Sequence, residues 1–255
     1  MRDAGCGGVM TRRILKHILS SFLLVSFCLT APAVENAATD RGSEFVDIKS
    51  VDATIAIELR YATENNVVHR PLYSPGTPAL VRASVAERLA IAQKYLKEKG
   101  YGLKIWDAYR PQSAQEKLWQ TTRNRSYVSD PKDGRGSMHI RGAAVDATLV
   151  DASGREVPMP TDFDSFSPAA LLQYQGHDQV VRANLKLLQK AMAHGGFYGL
   201  RTEWWHFCAP DWKKYPPVPE LKFEPSSRVP RLRDRGIPWH AERFSSGSLD
   251  FARDD

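Results

Sequence analysis

The chain has 255 residues, 42% of them apolar, which is enough for one sizeable domain or at most two small ones around a globular core. The formal net charge is +6, and half of it falls in residues 1–33, where Arg2, Arg12, Arg13 and Lys16 stand against Asp3. No basic stripe with interleaved aromatics follows, so the charge points to no nucleic-acid partner.

Residues 1–33 read as an export signal. Arg12, Arg13 and Lys16 form a positive segment, with Met10 as a second candidate start. Ile18 to Leu29 form an apolar run too short to span a bilayer comfortably. Ala31-Pro32-Ala33 supplies a small-x-small cleavage site, and Ala37-Ala38 a second one. Cleavage is expected to leave an exported, periplasmic protein with no stable membrane association. It would also remove Cys6 and Cys28, leaving Cys208 alone and no intrachain disulfide. A domain of that kind relies on its core and on any metal it binds.

Residues 34–45 are polar and read as a flexible lead-in. Val51 to Leu59 alternate loosely, which predicts a first strand, and Tyr61 to Pro78 read as a long loop. A helix follows. Ser84 and Glu87 have the spacing of a capping box, Val85, Leu89, Ala92 and Leu96 form an apolar stripe, and Gly100 ends it. Leu103 to Tyr109 predict a strand and Pro111 to Thr121 a second helix. Residues 123–137 form a loop, Ala143 to Val150 a strand and Asp151 to Gly154 a turn. Asp178 is placed to cap a third helix, with Val181, Leu185, Leu188 and Met192 on one face and Gly195 beyond its end. Trp204 to Cys208 predict a short last strand. Residues 224–255 hold six basic and six acidic residues and three prolines, the composition of a disordered tail. Helices and strands without a regular βαβ rhythm indicate an α+β fold, with the folded domain over 46–223.

The polar residues hardest to explain as packing are His139, Asp146, Glu203 and His206. Asp146 lies between Val145 and Ala147, and burying its charge is costly unless it is paired or bound to a metal. Glu203 beside Trp204 and Trp205 has the same difficulty. Two imidazoles and a carboxylate make a three-ligand zinc set that leaves a position for water, and a second carboxylate beside that water can take its proton. Any one of these residues alone is weak evidence. They combine only if the segments meet in space. On a regular strand Glu203 and His206 would face opposite ways, so the chain has to bend near Glu203. The helical His-Glu-x-x-His arrangement is absent. Arg110 before Pro111 also fits a surface strand end, and Asp164 also fits a turn. Gly142 reads as a position where a side chain would clash, and Trp106, Trp204 and Trp205 as core or pocket wall. Cys208, two residues past His206, should face the same way and be a buried, inert thiol.

Ser137-x-His139-x-x-Gly142-x-Ala144-x-Asp146 followed by Glu203-x-Trp205-His206 resembles the signature of the zinc D,D-peptidases. Tyr61 to Asn66, Tyr101 to Pro111, and Val157-Pro158-Met159 before Phe163-Asp164 are similar to the VanX-type D-alanyl-D-alanine dipeptidase branch, and the likeness runs from about residue 46 to 223. The resemblance implies that His139, Asp146 and His206 hold one Zn2+ per chain. It implies that Glu203 is the general base and that Arg110 holds the substrate carbonyl oxygen. Asp164 would then receive the substrate's amino group, with Tyr61 and Ser137 lining or supporting the pocket. The fold implied is a small α+β domain with a central antiparallel sheet carrying the zinc site and helices packed on it. The activity implied is hydrolysis of a small D-amino-acid dipeptide, D-alanyl-D-alanine, in cell-wall peptidoglycan metabolism.

The chain departs from that branch in its shorter loop between Thr121 and Ser137, its export signal and its tail. The shorter loop is expected to widen the pocket. A D,D-carboxypeptidase or endopeptidase acting on peptidoglycan stem peptides is therefore the competing enzymatic expectation, and a zinc-stabilised wall-binding module the non-enzymatic one.

Overall fold

The structure, a computed structural model, describes residues 44–133, 136–221 and 252–253. The expected signal, nearly all of the lead-in and most of the tail lie outside the described residues. The elements run β1 (Phe45–Asp47), α1 (Ile48–Val51), β2 (Ala56–Ile57), β3 (Leu80–Arg82), α2 (Ala83–Lys97), β4 (Tyr101–Asp107) and α3 (Gln112–Thr122). They continue with β5 (Ala144–Asp151), α4 (Gln179–His194), β6 (Tyr198–Leu200), β7 (Glu203–Cys208) and β8 (Ala252–Arg253).

Six strands form one sheet in the order β2-β4-β5-β7-β6-β8, and β1 pairs with β3 in a separate ribbon. The β4-β5, β5-β7 and β7-β6 pairs are antiparallel, while β2 and β8 add parallel edges. This is the expected α+β fold with an antiparallel centre. The register pairs Leu103 with Leu149, Ile105 with Ala147, and Val145 with Phe207. These residues share one core with Val85, Leu89, Ala92 and Leu96 of α2 and Leu185, Leu188 and Met192 of α4. The alternate residues Asp146 and His206, also in register, turn to the other side of the pleat.

The last helix forms as its sequence predicts. The Asp178 side chain accepts hydrogen bonds from the amides of Val180 and Val181, and Gly195 is the C-cap. A Cβ on Gly195 would lie 2.5 Å from the carbonyl oxygen of Arg88, so glycine lets the end of α4 touch α2.

Three expectations need correction. The strand expected over Val51–Leu59 is a single turn of helix ending at Val51 and two strand residues, Ala56 and Ile57. Asp47 captures the Lys49 amide and starts that helix instead. The capping box at Ser84 does not form. Arg82 is the N-cap without a side-chain bond, the Ala83 amide bonds to the Glu44 carbonyl at 2.8 Å, and the Ser84 hydroxyl pairs with the Tyr215 hydroxyl. Strand β4 begins and ends two residues earlier than the periodicity of Leu103 to Tyr109 indicates. Of the tail, Ala252 and Arg253 pair in parallel with Gly199 and Leu200.

Candidate metal centre

Three strands meet in one row at the site. Asp146 on β5 lies opposite His206 on β7 on one side and Asp107 on β4 on the other. The β4 register shifts between Ile105 and Asp107, and that bulge at Trp106 turns Asp107 to the face of Asp146. His139 enters from a 3-10 turn, His139–Arg141, closed by Gly142 at φ +67°. A Cβ there would lie 2.3 Å from the Phe45 ring, which explains the glycine.

The metal-facing atoms are close together. His206 Nδ1 is 2.9 Å from Asp146 Oδ1, His139 Nε2 is 3.1 Å from His206 Nδ1, and His139 Nε2 is 3.4 Å from Asp146 Oδ1. Ligands about 2.0–2.1 Å from a tetrahedral zinc stand about 3.3 Å apart, so this donor set has the right spacing for one ion. The other nitrogen of His139, Nδ1, is 2.7 Å from the carbonyl oxygen of Ala108, which directs Nε2 towards the site. All three residues are buried. Burial works to raise the pKa of Asp146, but the two imidazoles, His139 foremost, hold it well below the usual carboxylate range. Burial lowers the pKa of His206 against the pull of Asp146, which favours the neutral ring that a metal requires.

Glu203 sits at the start of β7. The β6-β7 register pairs Leu200 with Glu203 and then Gly199 with Phe207, so Trp204, Trp205 and His206 form an extended bulge. This is the bend that the alternation of Glu203 and His206 required, and it brings both side chains to one pocket. Glu203 is 7% exposed and its Oε1 has no hydrogen-bond partner among the described residues. Burial first, then the charges of Asp146 and Asp164, push its pKa well above the ordinary value.

Arg110 is held at three atoms. Its Nε donates to Asp107 Oδ2 and its Nη1 to Gln115 Oε1, both at 2.9 Å, and Nη2 lies 3.5 Å from Asp146 Oδ2. Its guanidinium also packs on the Tyr61 ring, 4.8 Å from the centroid. Desolvation opposes its charge, yet Tyr61, Asp107, Tyr73 and Asp146 together keep it fully protonated. Asp107 is fully buried and takes a further 2.6 Å hydrogen bond from Tyr73.

Asp164 has a φ of +58° and accepts from the Tyr61 hydroxyl at 3.0 Å and the Val67 amide at 3.1 Å. Burial raises its pKa to about 7. The Ser137 hydroxyl accepts from the His139 amide at 3.2 Å and so braces the turn that carries the ligand.

All eight residues singled out from sequence, Tyr61, Arg110, Ser137, His139, Asp146, Asp164, Glu203 and His206, line the same pocket. The pocket is small, with room for about 60 Å³ of solvent. Tyr127, from the loop between Thr121 and Ser137, lines the pocket and stacks on Phe166, with centroids 4.5 Å apart and planes at 18°. Sequence reasoning missed Asp107, Tyr73 and Gln115, which tie Arg110 in place. The signal for Asp107 was the one used for Asp146, a carboxylate between two apolar residues, here Trp106 and Ala108.

The family model described as D-ala-D-ala dipeptidase matches residues 41–223. The chain is 35% identical over 177 residues to the D-alanyl-D-alanine dipeptidase of Escherichia coli strain K12, covering 68% of this chain and 89% of that protein. It is 28% identical over 168 residues to the D-alanyl-D-alanine dipeptidase of Enterococcus faecalis, covering 59% and 83%. A crystal structure of a mutant of the vancomycin resistance D,D-pentapeptidase VanY, in complex with Zn(II), aligns at 13% identity with a TM-score of 0.35, over 63% of this chain and 83% of that one. With a single matched region spanning most of its length, the chain belongs to the D-ala-D-ala dipeptidase family of metallopeptidases.

Proposed function

We propose that this protein hydrolyses D-alanyl-D-alanine to two D-alanines, with one zinc ion per chain held by His139, Asp146 and His206. The observation that carries this reading is the convergence of three correctly spaced donors with Glu203, whose Oε1 has no partner among the described residues, in one small pocket. Zinc bound there supplies an acidified water and a positive charge near the scissile carbonyl. Glu203 takes the proton of the attacking water and hands it to the leaving amine. A carboxyl raised by burial suits both halves of that transfer near neutral pH. Arg110, already fixed by Asp107 and Gln115, presents a guanidinium edge to the oxygen that gains negative charge. Asp164, steadied by Tyr61 and the Val67 amide, receives the ammonium of the dipeptide.

A small pocket walled in part by Tyr127 and Phe166 suits a free dipeptide better than a stem peptide. The positive, apolar and small-residue succession in residues 1–33 supports an exported, periplasmic enzyme that salvages dipeptide released from peptidoglycan. The test is incubation of purified, zinc-loaded protein with free D-Ala-D-Ala and with a stem pentapeptide. Two D-alanines from the dipeptide are expected. Release of D-alanine from the pentapeptide alone would overturn the reading. Glu203→Gln should lower turnover by about 10²–10⁴-fold with zinc still bound, and unchanged turnover would remove Glu203 from the base role.

A further inference from the structure

His206 has a second ring nitrogen that faces away from the other two metal ligands. Its Nε2 lies 3.1 Å from the sulfur of Cys208. Both residues are on β7, two positions apart, so they turn to the same face of the sheet. Cys208 is fully buried and in register with Ala144 on one side and Tyr198 on the other. Those three residues form a small apolar cluster of their own, covered by Met138 and Trp212. The thiol is therefore fixed by packing from several directions, with its sulfur against the ring.

A neutral imidazole carries its proton on one nitrogen and offers a lone pair on the other. Only a ring protonated at Nε2 presents the Nδ1 lone pair to a metal. His139 has this choice made for it, in mirror image, by the Ala108 carbonyl at 2.7 Å from its Nδ1. At His206 the corresponding partner is a sulfur, a weak but real acceptor. The sequence suggested an inert thiol; the geometry gives it a task.

We propose that Cys208 is a positioning residue for the metal centre: its sulfur accepts the Nε2–H of His206 and so fixes the ring angle and the tautomer in which Nδ1 is free to bind the ion. The inference rests on the metal site proposed above. Partners in this position typically change metal affinity by about 10–100-fold when removed.

The test compares wild-type protein, Cys208→Ser and Cys208→Ala. Zinc affinity is measured by competition with a fluorescent chelator, and the melting temperature is measured on the metal-free proteins. Serine keeps an acceptor and alanine does not. The expected result is zinc binding about 10-fold or more weaker in Cys208→Ala and within about threefold of wild type in Cys208→Ser. Proton–nitrogen correlation spectra of the zinc-loaded wild type should show His206 protonated at Nε2, a readout that needs no variant to fold. Equal zinc affinity in all three proteins, equal losses in both variants, or a His206 ring protonated at Nδ1 would each overturn the proposal. Failure of the wild type itself to bind zinc would instead count against the metal site.

Discussion

The hydroxyl of Tyr61, in the 3-10 turn Arg60–Ala62, donates to Asp164 at 3.0 Å, joining segments that are 103 residues apart in the chain. That contact does not keep Asp164 an ordinary carboxylate. Burial outweighs it and raises the pKa to about 7. In the window from about pH 4 to 7 the folded protein keeps the Asp164 proton and the unfolded chain loses it. Stability from this group is therefore highest at low pH, falls as the pH rises, and is lowest above pH 7. Asp164→Asn should abolish that slope. The difference in unfolding free energy between metal-free variant and wild type should shift in the variant's favour by roughly 3 kcal/mol from pH 4 to 8. Chemical denaturation at several pH values measures this, and parallel curves would contradict it.

Arg110 is tied at three atoms, and charge alone does not reproduce that arrangement. Lysine offers no planar fork to reach Asp107, Gln115 and Asp146 together. Arg110→Lys should lower kcat by about 10²–10³-fold while zinc content, measured by metal analysis, stays the same. A near-normal kcat would mean that a positive charge in the pocket is sufficient.

Gly142→Ala combines a left-handed backbone with a Cβ driven into the Phe45 ring. The cost should be roughly 2–4 kcal/mol of stability. Adding Phe45→Leu should return the part due to the clash and leave the part due to the backbone. Thermal melts of the two variants separate the terms, and a fully restored double variant would show that the backbone conformation costs nothing.

The stacked pair Tyr127 and Phe166 forms part of the pocket wall. Phe166→Ala should open it and raise the rate on a stem pentapeptide, relative to the free dipeptide, by about tenfold. Paired kcat/KM measurements decide this. An unchanged ratio would place the size limit elsewhere.

Much of this site can be read from residue types alone. Asp146 and Glu203 stand in strongly apolar surroundings where a charge must be accounted for, and the mismatch between Glu203 and His206 on a regular strand anticipates the bulge at Trp204 to His206. The Asp178 cap and Gly195 mark the ends of the last helix because both act through local geometry. What was not legible depends on distant partners. Ser84 and Glu87 have capping-box spacing, but a tertiary bond from the Ala83 amide to Glu44 already satisfies the helix start. Strands β1, β3 and β6 are three residues each, too short for a period to register. Asp107 escaped notice because its task, holding Arg110 and receiving Tyr73, exists only after β4 has bulged at Trp106.

The row of Asp107, Asp146 and His206 is also a rung of the central sheet. Pairing β5 with β7 therefore brings two of the three metal donors, Asp146 and His206, together in the same step that builds the core. Partial unfolding that spares those strands would leave Asp146 and His206 together, and opening that separates them would release the ion. Amide exchange on β5 and the escape of the metal should accordingly follow one clock.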